Sequence, residues 1–318
     1  MAAKKITPMS QVTDTVLMVR PASFRKNEET AVNNYFQEDL ALENEAINAQ
    51  AQQEFDAFVA KLKAAGIHVL VLQDKKELNT PDSIFPNNWV STHKNGDVAL
   101  YPMYAENRRR ERREEFFTLL EDAGFAIKNV IDYTEAEEEG LFLEGTGSII
   151  LDRDNEKAYC ALSARADEDL FIEFCEDFEY LPVLFTANQT VGNERLPIYH
   201  TNVMMCIAEE FAVVCLQSID DKKERKQVIN QLKESGKEVI AITEAQMHQF
   251  AGNMLQVKNA AGKRFLVMSA SAHQALDASQ IASITKYCEI LSSDLTTIET
   301  CGGGSARCML AEIFLPKL

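Results

Sequence analysis

The sequence predicts an α/β fold in which one unit, a strand or hairpin followed by a helix, recurs about five times along the chain. Short apolar runs, typical of buried strands, alternate with longer segments of helical periodicity. No Pro-, Ser- or Gly-rich linker and no abrupt change of composition interrupts them. We therefore expect a single domain over residues 1–318. The repeat is structural, because no residue-level self-similarity accompanies it.

The first half of the chain supplies its elements in order. A strand ends at Arg20-Pro21, and residues 34–63 then show helical periodicity with few breakers. Gly66 separates this helix from the next strand. A helix from Arg108 to Ala123 ends at Gly124, as helices commonly do. The predicted strands of this half are Val16–Val19, Ile67–Leu72, Trp89–Thr92, Val98–Tyr101, Ser148–Leu151 and Lys157–Leu162.

The second half repeats the theme. A helix from about Asp167 to Phe178 follows the hairpin before it, and a charged helix from Asp220 to Ser235 ends at Gly236. A third helix covers about 279–287. The predicted strands are Val203–Ile207, Phe211–Leu216, Met254–Val257, Phe265–Met268 and the C-terminal Cys308–Leu315.

Composition and charge narrow the class of partner. The 318 residues are 46% hydrophobic and 25% charged, which is ordinary for a globular protein. The net charge of -17 argues against nucleic acid or an anionic membrane as partner, because both attract clustered positive charge. No apolar run approaches the roughly 20 residues that span a bilayer, and the first ten residues lack the apolar segment of a secretory signal. The basic run 108–113 contains Glu111 and indicates a solvated helix face.

Cysteine and histidine usage suggests free thiols in a reducing compartment. The seven cysteines include no Cys-x-x-Cys pair, and the five histidines are scattered singly. We therefore expect a cytoplasmic protein without structural zinc, another metal or a cofactor. The oligomeric state stays open, including a homo-oligomer.

The most informative motif is the glycine run Gly302-Gly303-Gly304, which Cys308 follows closely. Three consecutive glycines suit a tight turn, a close approach to a ligand, or amide N–H groups aimed at developing negative charge. A cysteine just after such a turn is placed to act as a nucleophile. The alternative is a glycine-rich turn into a last strand, with Cys308 as a small buried hydrophobe. The run itself does not decide between them.

Four other segments combine reactive side chains with turns near strands. Asp82 and Asn88 lie in a Pro/Asn-rich segment that an ordinary turn would also explain. Glu144 stands against a Gly-x-Gly loop between apolar runs, where burial would raise its pKa, although an exposed turn glutamate fits equally well. His200 leads into an apolar strand and is either a base or a core histidine. Arg165 ends a hairpin and could grip a carboxylate.

Taken in order, these motifs resemble the guanidino-group-modifying superfamily, the penteins. Phe85-Pro-Asn-Asn88, Leu143-Glu-Gly-x-Gly147, a strand-leading His200, Leu162-Ser-x-Arg165 and the glycine run with Cys308 occur in the family's order. The resemblance implies a five-bladed α/β propeller with pseudo-fivefold symmetry, in agreement with the recurring unit. Within the superfamily, the chain is most similar to amidinotransferase-like proteins described as citrulline-utilisation hydrolases.

The resemblance also implies roles for single residues. Cys308 matches the nucleophile, His200 the general acid/base and Glu144 the catalytic carboxylate, while Cys301 is the second candidate nucleophile. Arg165 matches the arginine that holds the substrate carboxylate. A second such arginine falls within Arg108, Arg109 and Arg110, of which we favour Arg108. The amides of Gly302, Gly303 and Gly304, with Asn88, would stabilise an oxyanion.

Two departures from the family bear on the substrate. Arginine deiminases carry acids where this chain has Asn88 and Asn202, and those acids grip the positive guanidinium. An asparagine cannot neutralise a cation, but it offers both a donor and an acceptor to a neutral ureido group. Asp82 remains a source of negative charge at the site. The expected substrate is thus a small amino acid, with citrulline favoured over arginine.

The predicted function is cleavage of citrulline to ornithine, ammonia and carbon dioxide through a cysteine-bound intermediate. Arginine deimination, dimethylarginine hydrolysis and amidino transfer are the alternatives within the superfamily. A non-catalytic binding module is a different class, which the joint presence of Cys308, His200 and Glu144 disfavours. A metal site built on Cys301 and Cys308 has no matching ligand spacing.

Overall fold

The computed structural model describes residues 10–318, and these residues form six small sheets of a mixed α/β fold. Five sheets share one pattern, in which an antiparallel pair is extended by a parallel outer strand. Hydrogen bonds join strands within each sheet, and no closed barrel forms among these residues. The five sheets, each in hydrogen-bonded order, are Ala311–Glu312, Thr15–Arg20 and His68–Gln73; Val90–Thr92, Asp97–Leu100 and Asn129–Asp132; Ile149–Asp152, Lys157–Leu162 and Leu181–Thr186; Met205–Ile207, Phe211–Val214 and Glu238–Ala241; and Leu255–Lys258, Arg264–Ser269 and Glu289–Ser293. The sixth is the hairpin Asn188–Val191 and Glu194–Pro197.

Helices connect the middle strand to the outer strand in each of the five sheets, as a parallel pair requires. The longest buries Phe55, Phe58 and Leu62 against the sheets, and each such side chain contributes ~1.5–3 kcal/mol of hydrophobic stabilisation. None of the helices in the described range is both long enough and apolar enough to cross a bilayer. The connecting helices are Asn44–Ala64, Glu115–Asp122, Glu168–Asp177, Lys222–Glu234, and Ala270–Ala275 with Ala278–Thr285; the others are Glu28–Ala31, Glu106–Arg109, Gly145–Ser148, Glu244–Met247 and Thr296–Gly302.

Three predicted elements differ from the structure. The helix expected over 34–63 begins only at Asn44, and Asn34 and Gln37, which precede it, instead donate to the carbonyl oxygen of Gly302. The helix expected over 108–123 is broken into two pieces, since Arg108 turns inward to a buried ion pair. The last strand is limited to Ala311–Glu312, and Cys308 lies in the turn before it. The basic run is therefore not a uniformly solvated face.

Candidate active site

Each of the five three-stranded sheets places one buried polar residue just before its first strand in the antiparallel pair. These residues are Asn88, Glu144, His200, Asn253 and Cys308, and none is more than 3% exposed. Each of these residues lies close to the start of a strand, which suits a site that needs rigid geometry. The structure therefore brings the predicted nucleophile, base and carboxylate to one region from three different sheets.

A small cavity lies between these segments. Gly302 and Gly304 also face it. Of the predicted site residues with side chains, the cavity is lined by Asp82, Asn88, Arg108, Arg165, His200 and Cys308.

Glu144 and His200 form a buried pair. The Nε2 atom of His200 lies 2.7 Å from Oε2 of Glu144, whose Oε1 accepts from the backbone amide of Tyr104 at 3.0 Å. Gly147 makes this approach possible, because a Cβ there would lie 2.8 Å from Nδ1 of His200 and 2.4 Å from Nδ2 of Asn88. The Gly-x-Gly motif thus leaves room for the imidazole.

The predicted rise in the pKa of Glu144 is wrong. Burial by itself raises that pKa, but Arg165, the hydrogen bond to His200 and the charge of Arg108 outweigh burial and lower it to about 2. The guanidinium nitrogens of Arg165 and Arg108 lie 3.5 and 3.9 Å from Oε2. Glu144 is therefore ionised at neutral pH.

His200 is neutral at neutral pH in the ligand-free protein. Burial lowers the pKa of its imidazole to about 4, and the positive charges of Arg165 and Arg108 act in the same direction, against the raising effect of Glu144. A neutral imidazole can accept a proton. The ionised Glu144 beside it would then stabilise the imidazolium that forms.

Cys308 lies beside two asparagine amides. Its Sγ accepts from Nδ2 of Asn202 at 3.3 Å and from Nδ2 of Asn253 at 3.2 Å. Cys301, the second candidate nucleophile, lies on the helix Thr296–Gly302 in the same buried apolar cluster as Cys308, but it does not line the cavity. Burial raises the pKa of the Cys301 thiol, which disfavours the reactive thiolate there.

The glycine run serves close packing as well as the turn. Gly303 has a φ of +61°, and its amide donates to the carbonyl oxygen of Glu299 at 2.9 Å, which ends the helix. A Cβ on Gly302 would lie 2.8 Å from the ring of Phe85. The amide of Gly303 is thus committed to the helix end, contrary to its predicted place among the oxyanion donors.

Arg108 holds Asn88 in place. Its guanidinium binds Glu111 with two bonds of 2.9 Å, and Nη1 donates to Oδ1 of Asn88 at 2.8 Å. Arg109 is half-buried and lies 3.3 Å from Glu137. Of the three candidate arginines, Arg108 is the one that faces the cavity.

Arg165 links the Glu144–His200 pair to residues 27–39, the covering segment, which contacts Asp82 and Gly302. Its Nε donates to Oδ1 of Asn33 at 3.0 Å and its Nη2 to the carbonyl oxygen of Thr30 at 2.9 Å. The guanidinium carbon also lies 5.0 Å from the centre of the Tyr199 ring. Arg165 is thereby fixed beside the cavity at the end nearest residues 27–39.

Two of the buried side-chain oxygen atoms that lack a hydrogen-bond partner among residues 10–318 belong to predicted site residues, Asp82 and Asn202. Oδ2 of Asp82 accepts from Asn27 at 2.8 Å and Thr30 at 3.1 Å, but its Oδ1 is unpartnered. Oδ1 of Asn202 is also unpartnered. Buried polar atoms rarely stay unsatisfied, so both are natural acceptors for the N–H groups of a ligand. Burial raises the pKa of Asp82, against the lowering effect of Arg108.

Sequence reasoning missed Asn253 and Asn34. The signal for Asn253 was present, because Gly252-Asn253 precedes an apolar run in the same way as the other motifs. Asn34, whose Nδ2 donates to the carbonyls of Gly302 and Gly303, gave no signal within a predicted helix. Within the described residues, no group of three His, Cys, Asp or Glu side chains is arranged to hold a metal ion.

The family is established by a sequence model that covers most of the chain. The model described as N,N dimethylarginine dimethylhydrolase, eukaryotic, matches residues 20–315, and the chain belongs to this family. This places it in the pentein superfamily, which confirms the superfamily assignment made from the motifs. No curated protein sequence gives a significant match.

Solved structures of the superfamily share the fold. ArgZ, an arginine dihydrolase from the ornithine–ammonia cycle in cyanobacteria, has a TM-score of 0.72 at 16% identity, over 96% of this chain and 41% of that one. Unliganded AgrE has a TM-score of 0.71 at 18% identity, over 94% of this chain and 39% of that one. A dimethylarginine dimethylaminohydrolase variant in an adduct with S-methyl-L-thiocitrulline has a TM-score of 0.62 at 13% identity, over 93% and 98%. The chain thus spans about two fifths of ArgZ and AgrE.

Proposed function

We propose that the protein is a cysteine-dependent hydrolase that cleaves a C–N bond of a ureido or guanidino amino acid, with citrulline as its substrate. The observation that carries this is the arrangement of Cys308 between two side-chain amides in the cavity that His200 also lines. His200 is in turn bound to an ionised Glu144. These are the parts of an activated nucleophile, namely a thiol, a base and a group that orients the base.

The chemistry follows in two steps. The neutral imidazole of His200 takes the thiol proton, and the Cys308 thiolate attacks the ureido carbon. His200 then gives its proton to the departing ornithine nitrogen as the C–N bond breaks, which leaves a carbamoyl thioester. Water, deprotonated by His200, attacks this thioester and releases carbamic acid, which decomposes to ammonia and carbon dioxide. The Cys308 thiol is restored by the proton from His200.

The opposite charges around the cavity support a zwitterionic amino-acid head. Arg165 offers a guanidinium to an α-carboxylate, and the open Oδ1 of Asp82 offers a negative acceptor to an α-ammonium group. Asp82 and Arg165 are both tied to Thr30 in the covering segment. The head would thus bind at one end of the cavity, and the reacting group at Cys308.

The choice of citrulline rests on what contacts the sulfur. The hydrogen-bond donors at Sγ are the amides of Asn202 and Asn253, and no carboxylate is among its partners in residues 10–318. A buried guanidinium without an opposite charge is costly, whereas a neutral ureido group needs only hydrogen bonds. Oδ1 of Asn202, which has no hydrogen-bond partner among residues 10–318, is an acceptor for the N–H groups of either substrate.

A guanidino substrate is the second candidate. The name of the matching family refers to the hydrolysis of dimethylarginine. Structures similar to this chain include an AgrE mutant in complex with L-arginine and AgrE in complex with ornithine and NAD+. The unpartnered Oδ1 of Asp82 favours a cation if the substrate binds with its guanidinium at that end. Hydrolysis of arginine or dimethylarginine would use the same Cys308, His200 and Glu144.

We also propose that the five sheets are the blades of a five-bladed α/β propeller within one domain. Their common strand pattern and the equivalent positions of the five site residues support this arrangement. The seven free cysteines support a reducing, cytoplasmic setting.

Product analysis tests the proposed function. The purified protein is incubated separately with citrulline, arginine and dimethylarginine, and ornithine, citrulline and ammonia are measured, with Cys308→Ala as the background control. We expect citrulline to give equal amounts of ornithine and ammonia, and arginine to react more slowly by up to ~10⁴-fold, because a site built from specific hydrogen bonds rejects a mismatched polar group. Faster turnover of arginine would refute the citrulline assignment, and no product from any of the three would refute the hydrolase.

A further inference from the structure

We propose that Asn253 is a further catalytic residue, whose amide, together with that of Asn202, stabilises the Cys308 thiolate that forms when His200 takes the thiol proton and that attacks an uncharged substrate. This inference rests on the proposed role of Cys308 as nucleophile. It adds a group from the remaining sheet, so that each of the five three-stranded sheets contributes at least one residue to the site.

The contacts of Asn253 fix which end of its amide faces the sulfur. Its Oδ1 accepts from the backbone amide of Arg307 at 3.0 Å, so this end must be the oxygen. Nδ2 then donates both to the carbonyl oxygen of Asn202 at 3.0 Å and to Sγ of Cys308 at 3.2 Å. Asn253 is fully buried, which makes the bond to sulfur strong in a low-dielectric site.

The backbone before Asn253 is shaped to bring it to this place. Phe250 has a φ of +60°, a conformation unusual for a bulky residue. A Cβ on Gly252 would lie 2.4 Å from the carbonyl oxygen of Val203, so glycine permits close contact with the segment that carries Asn202. Strain and close approach of this kind concentrate at functional sites.

Among residues 10–318, the side-chain amides of Asn202 and Asn253 are the direct hydrogen-bond donors to Sγ of Cys308. The charged and titratable groups that line the cavity are Asp82, Arg108, Arg165, Tyr199 and His200, with Glu144 bound to His200. The two arginines are engaged by the carboxylates of Glu111 and Glu144. A ureido group brings no positive charge to balance a thiolate. The two amides supply the stabilisation that a cationic substrate would otherwise bring.

Alkylation of Cys308 over a range of pH tests this proposal without any substrate. The thiolate displaces iodide from iodoacetamide to form a C–S bond, and mass spectrometry of the Cys308 peptide gives the rate. Asn253→Asp keeps the shape and the acceptor for Arg307 but replaces the donor with a negative charge. Asn253→Ala removes the donor to the sulfur together with the acceptor for the amide of Arg307. Asn129→Ala, on an outer strand, is the matched control.

We expect Asn253→Ala to slow alkylation about 10-fold at pH 7 and to move the rate profile to higher pH, since a hydrogen bond to an ionised group is worth at least ~10-fold. Asn253→Asp should slow it further, and Asn129→Ala should match the unmodified chain. Unchanged profiles in whichever of the two Asn253 variants folds would overturn the proposal. If the proposed hydrolase activity is wrong, product analysis will detect no product from any substrate. The alkylation profiles will still measure the effect of Asn253 on Cys308.

Discussion

Replacing Cys308 with alanine should abolish turnover, by at least ~10⁴-fold in kcat, and leave the fold intact. The covalent step has no other nucleophile at this point of the cavity, so the loss should be near complete. The stability should change little, because Cys308 is a small side chain at the cavity wall, bonded through sulfur to two side-chain amides. Steady-state assays with the best substrate and a thermal melt measure the two effects.

Cys301→Ala is the matched control, because it removes the same atoms from a cysteine in the core. This variant should keep most of its activity and lose about 1 kcal/mol of unfolding free energy from the small cavity created. A thiol-directed inactivator should label Cys308 in the unmodified protein. An active Cys308→Ala variant with the label on Cys301 would reverse the assignment.

Replacing His200 with alanine should lower kcat by ~10²–10⁴-fold, the usual contribution of a positioned general acid and base. Glu144→Gln keeps the shape of the side chain but removes the charge that stabilises the imidazolium, and it leaves Arg165 without its carboxylate partner. We expect a loss of similar size. Near-normal turnover in His200→Ala would show that the histidine is structural, and circular dichroism should confirm that both variants fold.

The pH dependence should report the same histidine. Because the pKa of His200 is lowered to about 4, the imidazole stays able to accept a proton down to that pH. The acid limb of kcat/KM should thus fall near pH 4 rather than near the ordinary value of 6.5. The free energy of unfolding should also fall at acidic pH. As pH drops from 6.5 through about 4, His200 becomes protonated in the unfolded chain before it does so in the folded protein, and this stabilises the unfolded chain. An acid limb near pH 6.5 would contradict a neutral, buried His200.

Most of the antiparallel strand pairs were predictable from the sequence, because such pairs form between residues that are close together in the chain. The antiparallel pairs in four sheets are short apolar runs around tight turns, and such hairpins are recognisable from neighbouring residues. Of the five parallel outer strands, His68–Gln73 was predicted, as Ile67–Leu72, and the other four were missed. Asn129–Asp132 shows why. Most of its residues are exposed, so it has no apolar face to mark it, and it is a strand because Asp97–Leu100 pairs with it.

Only the site residues that belong to recognisable sequence motifs were predictable. Cys308, His200 and Glu144 each precede an apolar strand, and the structure brings them to one region. The charge state of Glu144 depends on Arg108 and Arg165, which are distant in sequence, so the local apolar flanks gave the wrong sign. The burial of Arg108 likewise depends on its contacts with Asn88 and Glu111, which helical periodicity does not reveal.

The most direct test of the central claim is the mass of the Cys308 peptide after rapid mixing with citrulline and acid quench. The proposed chemistry predicts a transient increase by one carbamoyl group on Cys308. It forms together with the first equivalent of ornithine, disappears as ammonia is released, and is absent from Cys308→Ala. Product formation with no adduct on Cys308 at any time, or with an adduct on another cysteine, would contradict nucleophilic catalysis by Cys308.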